Sequence, residues 1–160
     1  MKNWTLYLCK CFALSLVFAP VLTNTQVSLP ALNVFKTPTC GCCGKWVEHI
    51  QENGFATIVK NMQNLGGLKS EKGIRPNYQS CHTGVSQDGY VFEGHVPAKF
   101  IKQFLASPEK DAIGLSVPAM PVGSPGMEMG TKFHKYQVLV LFKDGTSKVF
   151  ATVNSPKDQY

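Results

Sequence analysis

From residue 31 onward, apolar and polar positions alternate in short blocks separated by turn residues. Leu32-Asn33-Val34-Phe35-Lys36 reads as a strand, and Thr37-Pro38-Thr39 breaks it. The period then changes. Trp46, Val47 and Ile50 fall on one face at helical spacing, with Thr39 placed to cap that helix and Asn53-Gly54 to end it. Phe55 to Lys60 is strand-like again, and Leu65 to Ile74 is a short helix closed by Gly73 and Pro76. Val85 to Glu93 contains Asp88-Gly89, a hairpin signal. Pro97 to Leu105 predicts a helix with proline in its first turn. Ser107 to Phe133 is rich in Pro and Gly and shows little periodicity. Tyr136 to Phe142 and Ser147 to Val153, joined through Asp144-Gly145, predict a second hairpin.

Strand, cysteine-bearing loop, helix, strand is the opening of a thioredoxin-like fold, so the pattern predicts an α/β domain of that kind over 31–153. Within it, 107–153 forms an extension with a Met-rich loop and a hairpin. A chain of 160 residues suits one such domain. The segment before it has another character. Met1-Lys2 starts it, Leu6 to Leu22 is mostly apolar, and Thr23-Asn24-Thr25-Gln26 is polar. That layout predicts a secretory signal peptide over about residues 1–25, which removes Cys9 and Cys11 and sends the rest out of the cytoplasm, free of the membrane.

The formal net charge is +6, but the lysines are scattered and form no basic run with interleaved aromatics, which argues against a nucleic-acid partner. Cysteine changes the picture more. Cys40-Gly41-Cys42-Cys43 sets three thiols within four residues, and Cys81 is the fourth left after the leader. Three crowded cysteines make a poor stapling framework, and a domain of this size needs none. Thiolates at a helix N-terminus are favoured by its dipole, so the segment reads as a soft-metal site, a redox site, or both. Cys40 and Cys43 have the C-x-x-C spacing of an exchanging dithiol, Cys40 attacking and Cys43 resolving. In the topology assumed above, Cys81 faces that loop.

Pro118 to Met129 adds Met120, Met127 and Met129 among Pro, Gly and Ser, neighbours unsuited to a core. Thioethers at such positions suit Cu(I). His82 adjoins Cys81 and is a candidate ligand. His95 reads first as a hydrogen-bonded helix-start residue, His49 as a surface or packing residue, and Trp46 as core. His134, flanking the last strand, has a weak case as a ligand. Zinc sites draw on separated pairs, and this chain has no second C-x-x-C or H-x-x-x-H, which favours copper.

The ordered set Thr39-Cys40-Gly41-Cys42-Cys43, Ser80-Cys81-His82-Thr83, Glu93-Gly94-His95-Val96-Pro97, Pro118-Ala119-Met120-Pro121 and Gly123-Ser124-Pro125-Gly126-Met127-Glu128 resembles the CopG-like copper-resistance proteins of Gram-negative bacteria. These are exported thioredoxin-like proteins marked by a Cys-x-Cys-Cys motif. The resemblance runs from about Val34 to Val149. It implies copper bound through cysteine sulfur, a C-terminal extension that helps bind metal, and an oxidoreductase role in copper handling. Ala119 departs from the family's usual Pro-Gly-Met-Pro.

The expected function is therefore periplasmic copper binding in copper resistance, with interconversion of Cu(I) and Cu(II) and more than one ion per chain. The expected ligands are Cys40, Cys42, Cys43, Cys81, His82, Met120, Met127 and Met129, with Cys40 and Cys43 as the reactive pair. The expected protein is a monomer that meets periplasmic copper efflux or carrier proteins. A metal-free thiol–disulfide oxidoreductase and a passive copper chaperone remain the alternatives.

Overall fold

The computed structural model describes residues 29–160; the expected signal peptide, with Cys9 and Cys11, lies outside them. Seven strands form one mixed sheet. In chain order they are β1 (Leu29–Lys36), β2 (Phe55–Asn61), β3 (His82–Ser86), β4 (Val91–Glu93), β5 (Ala112–Ser116), β6 (Tyr136–Phe142) and β7 (Ser147–Val153). The helices are α1 (Gly41–Glu52), α2 (Gly66–Glu71) and α3 (Ala98–Ala106). The order across the sheet is β2-β1-β3-β4-β5-β6-β7. β1 and β2 run parallel, joined by α1, and β3 returns antiparallel to β1. β4 and β5 run parallel across α3, and β5, β6 and β7 form an antiparallel meander. The architecture is mixed α/β, as the alternating blocks predict.

The helices sit where their apolar faces can be covered. Trp46, Val47 and Ile50 of α1 and Phe100, Ile101 and Phe104 of α3 join Leu32, Val34, Phe92, Leu115, Val138 and Val140 in the main core. A smaller core on Ile74, Val85, Val91 and Leu141 includes the 3-10 turn residue Tyr78. Phe92 with Phe104, and Tyr90 with Phe104, meet edge to face, an arrangement favoured by the ring quadrupole. Among the described residues, no helix is long and apolar enough to cross a membrane.

Two local expectations are corrected. The N-cap of α1 is Cys40 rather than Thr39, and no side chain caps it. After β1 ends, Cys40 N–H donates to Thr37 O at 3.2 Å, and this tight turn starts the helix one residue later. The stretch from Ser107 to Phe133, which lacks periodicity, nonetheless contributes β5, an interior strand of the sheet.

One register places the site. Lys36, the last residue of β1, pairs with His82, the first of β3. The loop leaving β1 carries Cys40 into α1, while the chain entering β3 carries Cys81. Antiparallel pairing therefore sets both cysteine segments at the same end of the sheet.

Candidate metal centre

Cys40, Cys42, Cys43 and Cys81 bring their sulfur atoms within 4.8 Å of one another. Cys40 and Cys43 are joined as a disulfide, with Cα atoms 5.4 Å apart, while Cys42 and Cys81 are free thiols. Cys42 Sγ lies 3.6 Å from Cys40 Sγ. Cys43 is buried and the other three are half-buried, so the cluster is reachable from solvent on one side. Cys40 is the N-cap of α1, and Cys42 and Cys43 lie in its first turn, where the helix dipole favours negative charge on sulfur.

Cys81 also belongs to a second group. Its Sγ lies 3.3 Å from His82 Nδ1 and 3.2 Å from His95 Nε2, and the three donor atoms fall within 4.8 Å of one another. His95 Nδ1 donates to Pro125 O at 2.8 Å. A carbonyl only accepts, so that contact fixes the proton on Nδ1 and leaves the Nε2 lone pair facing Cys81. Metal-binding histidines are commonly held this way, through a backbone carbonyl on the other nitrogen. His82 packs at a tilt against the Trp46 ring, centroids 4.3 Å apart, and its Nε2 is buried with no hydrogen-bond partner. Trp46 itself is core, as expected, and its indole N–H donates to Val96 O at 2.9 Å.

The electrostatics keep this corner uncharged before metal arrives. Burial, reinforced by His95 and Lys69, holds His82 well below the ordinary imidazole value. Burial likewise lowers His95, against the opposing pull of Pro125 O and Glu128. Both imidazoles are therefore neutral, the ligand form. Burial, then the neighbouring Cys42, pushes the Cys81 thiol up to about 12. A bound cation reverses that preference, because a coordinated thiol gives up its proton.

A buried clamp holds the Cys81 segment. Glu93, fully buried, accepts from Ser80 N–H and Thr83 Oγ1, each at 2.6 Å, and is paired with Lys69. Lys69 also donates to Ser80 O at 2.9 Å. Ser80 Oγ in turn donates to Ala119 O, which ties the cysteine segment to the start of the methionine loop.

That loop closes over α1. Ser124, Pro125 and Gly126 are buried, and Gly126 has φ +86°. A Cβ on Gly126 would stand 2.7 Å from Cys42 O and 2.8 Å from Trp46 N, so only glycine allows the loop to reach the cysteine helix. Gln159 pins the loop from behind, donating to Gly123 O at 3.0 Å and accepting from Tyr136 Oη at 2.5 Å. Of the methionines, Met120 and Met129 are 49% and 57% exposed, and Met127 is half-buried. The structure thus gathers Cys40, Cys42, Cys43 and Cys81 into one group, joins His82 and His95 to it through Cys81, and brings the methionine loop against the cysteine helix at Gly126.

His95 is the residue that sequence reasoning undervalues. It starts no hydrogen-bonded helix cap; its ring turns inward to Cys81. The available signal is its place in Glu93-Gly94-His95-Val96-Pro97. His49 is a packing residue, as expected: it is buried, and its Nε2 accepts from Ala98 N–H at 3.1 Å at the start of α3. His134 is exposed.

An α/β scaffold that gathers thiols and neutral imidazoles at one helix N-terminus defines a protein able to hold a soft metal ion. Two solved structures named copper resistance protein copG, Form 1 and Form 2, are 41% and 40% identical to this chain, each with a TM-score of 0.73. Each match covers 78% of this chain and 98% of the other. The chain belongs to the CopG family of copper-resistance proteins. Residues 78–127 also match a family described as protein of unknown function, DUF411. Among curated proteins, no sequence matches significantly.

Proposed function

We propose that the protein binds copper at Cys40, Cys42, Cys43 and Cys81 and interconverts Cu(I) and Cu(II) as part of copper resistance. The observation that carries this reading is the four sulfur atoms, from two separate segments, within 4.8 Å of one another. Cu(I) is soft and prefers thiolate and thioether donors. Thiolates also bridge ions, so four at this spacing suit a small cluster of more than one copper. His95 and His82 supply nitrogen at its edge, where the harder Cu(II) is better served.

The dithiol supplies the electrons. The Cys40 and Cys43 thiolates each give one electron to a Cu(II) ion; two Cu(I) ions and the Cys40–Cys43 disulfide result. The reverse returns two Cu(II) ions and two thiolates. Met120, Met127 and Met129 form a thioether port, and the exposure of Met120 and Met129 suits exchange of ions with solvent or a carrier.

The β1-α1-β2 unit followed by the antiparallel β3–β4 pair and α3 supports a thioredoxin-like assignment, with β5 to β7 as an extension. The leader-like first 25 residues support export to the periplasm; a monomer that meets copper efflux or carrier proteins is our reading of the exported form.

The Cys40–Cys43 disulfide at a helix N-terminus is the observation that favours a second reading, metal-free thiol–disulfide exchange. Cys42→Ala separates the two. Exchange needs only Cys40 and Cys43, so it survives the substitution, whereas copper stoichiometry and copper oxidation fall with the loss of a bridging thiolate. Full copper binding in Cys42→Ala, with activity lost only on changing Cys40 or Cys43, overturns the copper reading.

A further inference from the structure

The two donor groups share a single atom, Cys81 Sγ. A Cys40–Cys43 disulfide takes two sulfurs out of the first group, because a disulfide sulfur carries no thiolate charge. The second group is untouched by it. Cys81 Sγ, His82 Nδ1 and His95 Nε2 still converge, at 3.3 Å and 3.2 Å from the sulfur. We propose that Cys81, His82 and His95 form a mononuclear copper site, which keeps one Cu(II) ion when Cys40 and Cys43 are joined as a disulfide. The inference rests on the copper reading above and adds to it a second loading state.

Three features favour this state. First, one thiolate with two imidazoles is a trigonal donor set suited to Cu(II), with room for a weaker axial donor. Second, His95 is already aligned: Pro125 O holds the Nδ1 proton, so Nε2 binds without a change of tautomer. Third, His82 Nδ1 already faces Cys81 Sγ at 3.3 Å, so a metal between them replaces that contact without turning the ring away from the sulfur. The metal gains from its surroundings as well. Trp46 packs on His82, which keeps water from that side.

The binding step balances simply. Cu(II) replaces the proton of the Cys81 thiol, the proton leaves to solvent, and no electron moves. With Cys40 and Cys43 joined, Cys42 is the remaining thiol within reach of Cys81, so Cys42→Ala leaves Cys81 without a thiol partner for oxidation by Cu(II). A chain that has just reduced two Cu(II) ions through Cys40 and Cys43 is then still able to retain copper at Cys81.

The test uses Cys40→Ser/Cys42→Ser/Cys43→Ser, which removes the cluster and leaves the triad. Titrated with Cu(II), this variant takes up one ion per chain, shows an intense visible thiolate-to-copper band, and gives an EPR spectrum with nitrogen splitting from imidazole. Adding His95→Ala abolishes the band. The same titration on Cys42→Ala, with its disulfide intact, gives the same spectrum without relying on the triple variant to fold. Uptake of Cu(II) with no thiolate band, no uptake in either variant, or a band unmoved by His95→Ala overturns the proposal. These results are independent of the reduced wild-type chain: if that chain fails to take up several Cu(I) ions, the cluster reading falls and the triad stands.

Discussion

Glu93 holds Ser80 in place: its carboxylate accepts the Ser80 N–H at 2.6 Å, one residue before Cys81. The same carboxylate is paired with buried Lys69, which also reaches Ser80 O at 2.9 Å. The thiol opposite the cysteine loop is thus set by an ion pair rather than by the strand alone.

Glu93→Ala leaves the Lys69 ammonium buried without its carboxylate and Ser80 N–H without an acceptor. Breaking one side of a buried pair costs about 3–5 kcal/mol, so denaturant unfolding of the variant shows a loss of that order. Glu93→Gln keeps an acceptor for Ser80 and loses less. In both, copper stoichiometry falls with the displacement of Cys81. Unchanged stability in Glu93→Ala refutes the clamp.

Ala119 sits at φ +59°, a left-handed conformation that a Cβ disfavours, at the point where the family pattern carries glycine. Ala119→Gly relieves about 1–2 kcal/mol of backbone strain, part of which the greater freedom of the unfolded chain offsets. The melting temperature therefore rises, and copper binding is unchanged because the contacts of Ala119 are backbone ones that glycine keeps: its carbonyl accepts from Ser80 and its N–H donates to Gln79 O. A lowered melting temperature contradicts this account of the loop.

Much of the fold and of the site is legible in the amino-acid sequence, and the exceptions have physical causes. Asp88-Gly89 and Asp144-Gly145 mark their hairpins because those residues tolerate the turn backbone whatever surrounds them. Trp46, Val47 and Ile50 announce the buried face of α1 for the same local reason. β5 is hidden: Ala112-Ile113-Gly114-Leu115-Ser116 is short, interrupted by glycine, and set in a Pro/Gly-rich stretch. Its strand state comes from its neighbours β4 and β6, and a Cβ on Gly114 would collide with the Val91 carbonyl. His95 is hidden for a related reason. The bond to Pro125 that aligns its ring spans 30 residues, a separation no local pattern reports.

Three buried histidines make the metal-free protein sensitive to acid. His49, lowered from its ordinary value of 6.5 chiefly by burial, is helped down by Lys102 and held up by Glu128. His82 and His95 are lowered as well. Their folded values lie below 6.5, so below that pH the unfolded chain binds more protons than the folded one. Their stabilising effect is complete above the ordinary value and is lost as pH falls through the folded values. Each proton so taken up steepens the loss by about 1.4 kcal/mol per pH unit. His49→Gln, which keeps an acceptor for Ala98 N–H and cannot titrate, flattens the profile. An identical acid profile in that variant refutes the assignment of His49.

Met127→Leu with Met129→Leu keeps apolar bulk and removes two thioethers. Volume-conserving exchanges of this type cost less than about 1.5 kcal/mol, so the fold persists. If these side chains serve copper, affinity measured against a competing chelator falls while stability does not. Equal affinity assigns the loop a structural role through Pro125 and Gly126 alone.

The central claim, that four cysteines from two segments bind copper together, is tested most directly by anaerobic titration of the fully reduced protein with Cu(I). The account predicts more than one Cu(I) per chain, ultraviolet thiolate-to-copper absorption, poor competition by zinc, and a lower stoichiometry in Cys81→Ser with the fold intact. A single equivalent of zinc with no copper uptake, or a Cys81→Ser variant that loads copper as the wild type does, contradicts it.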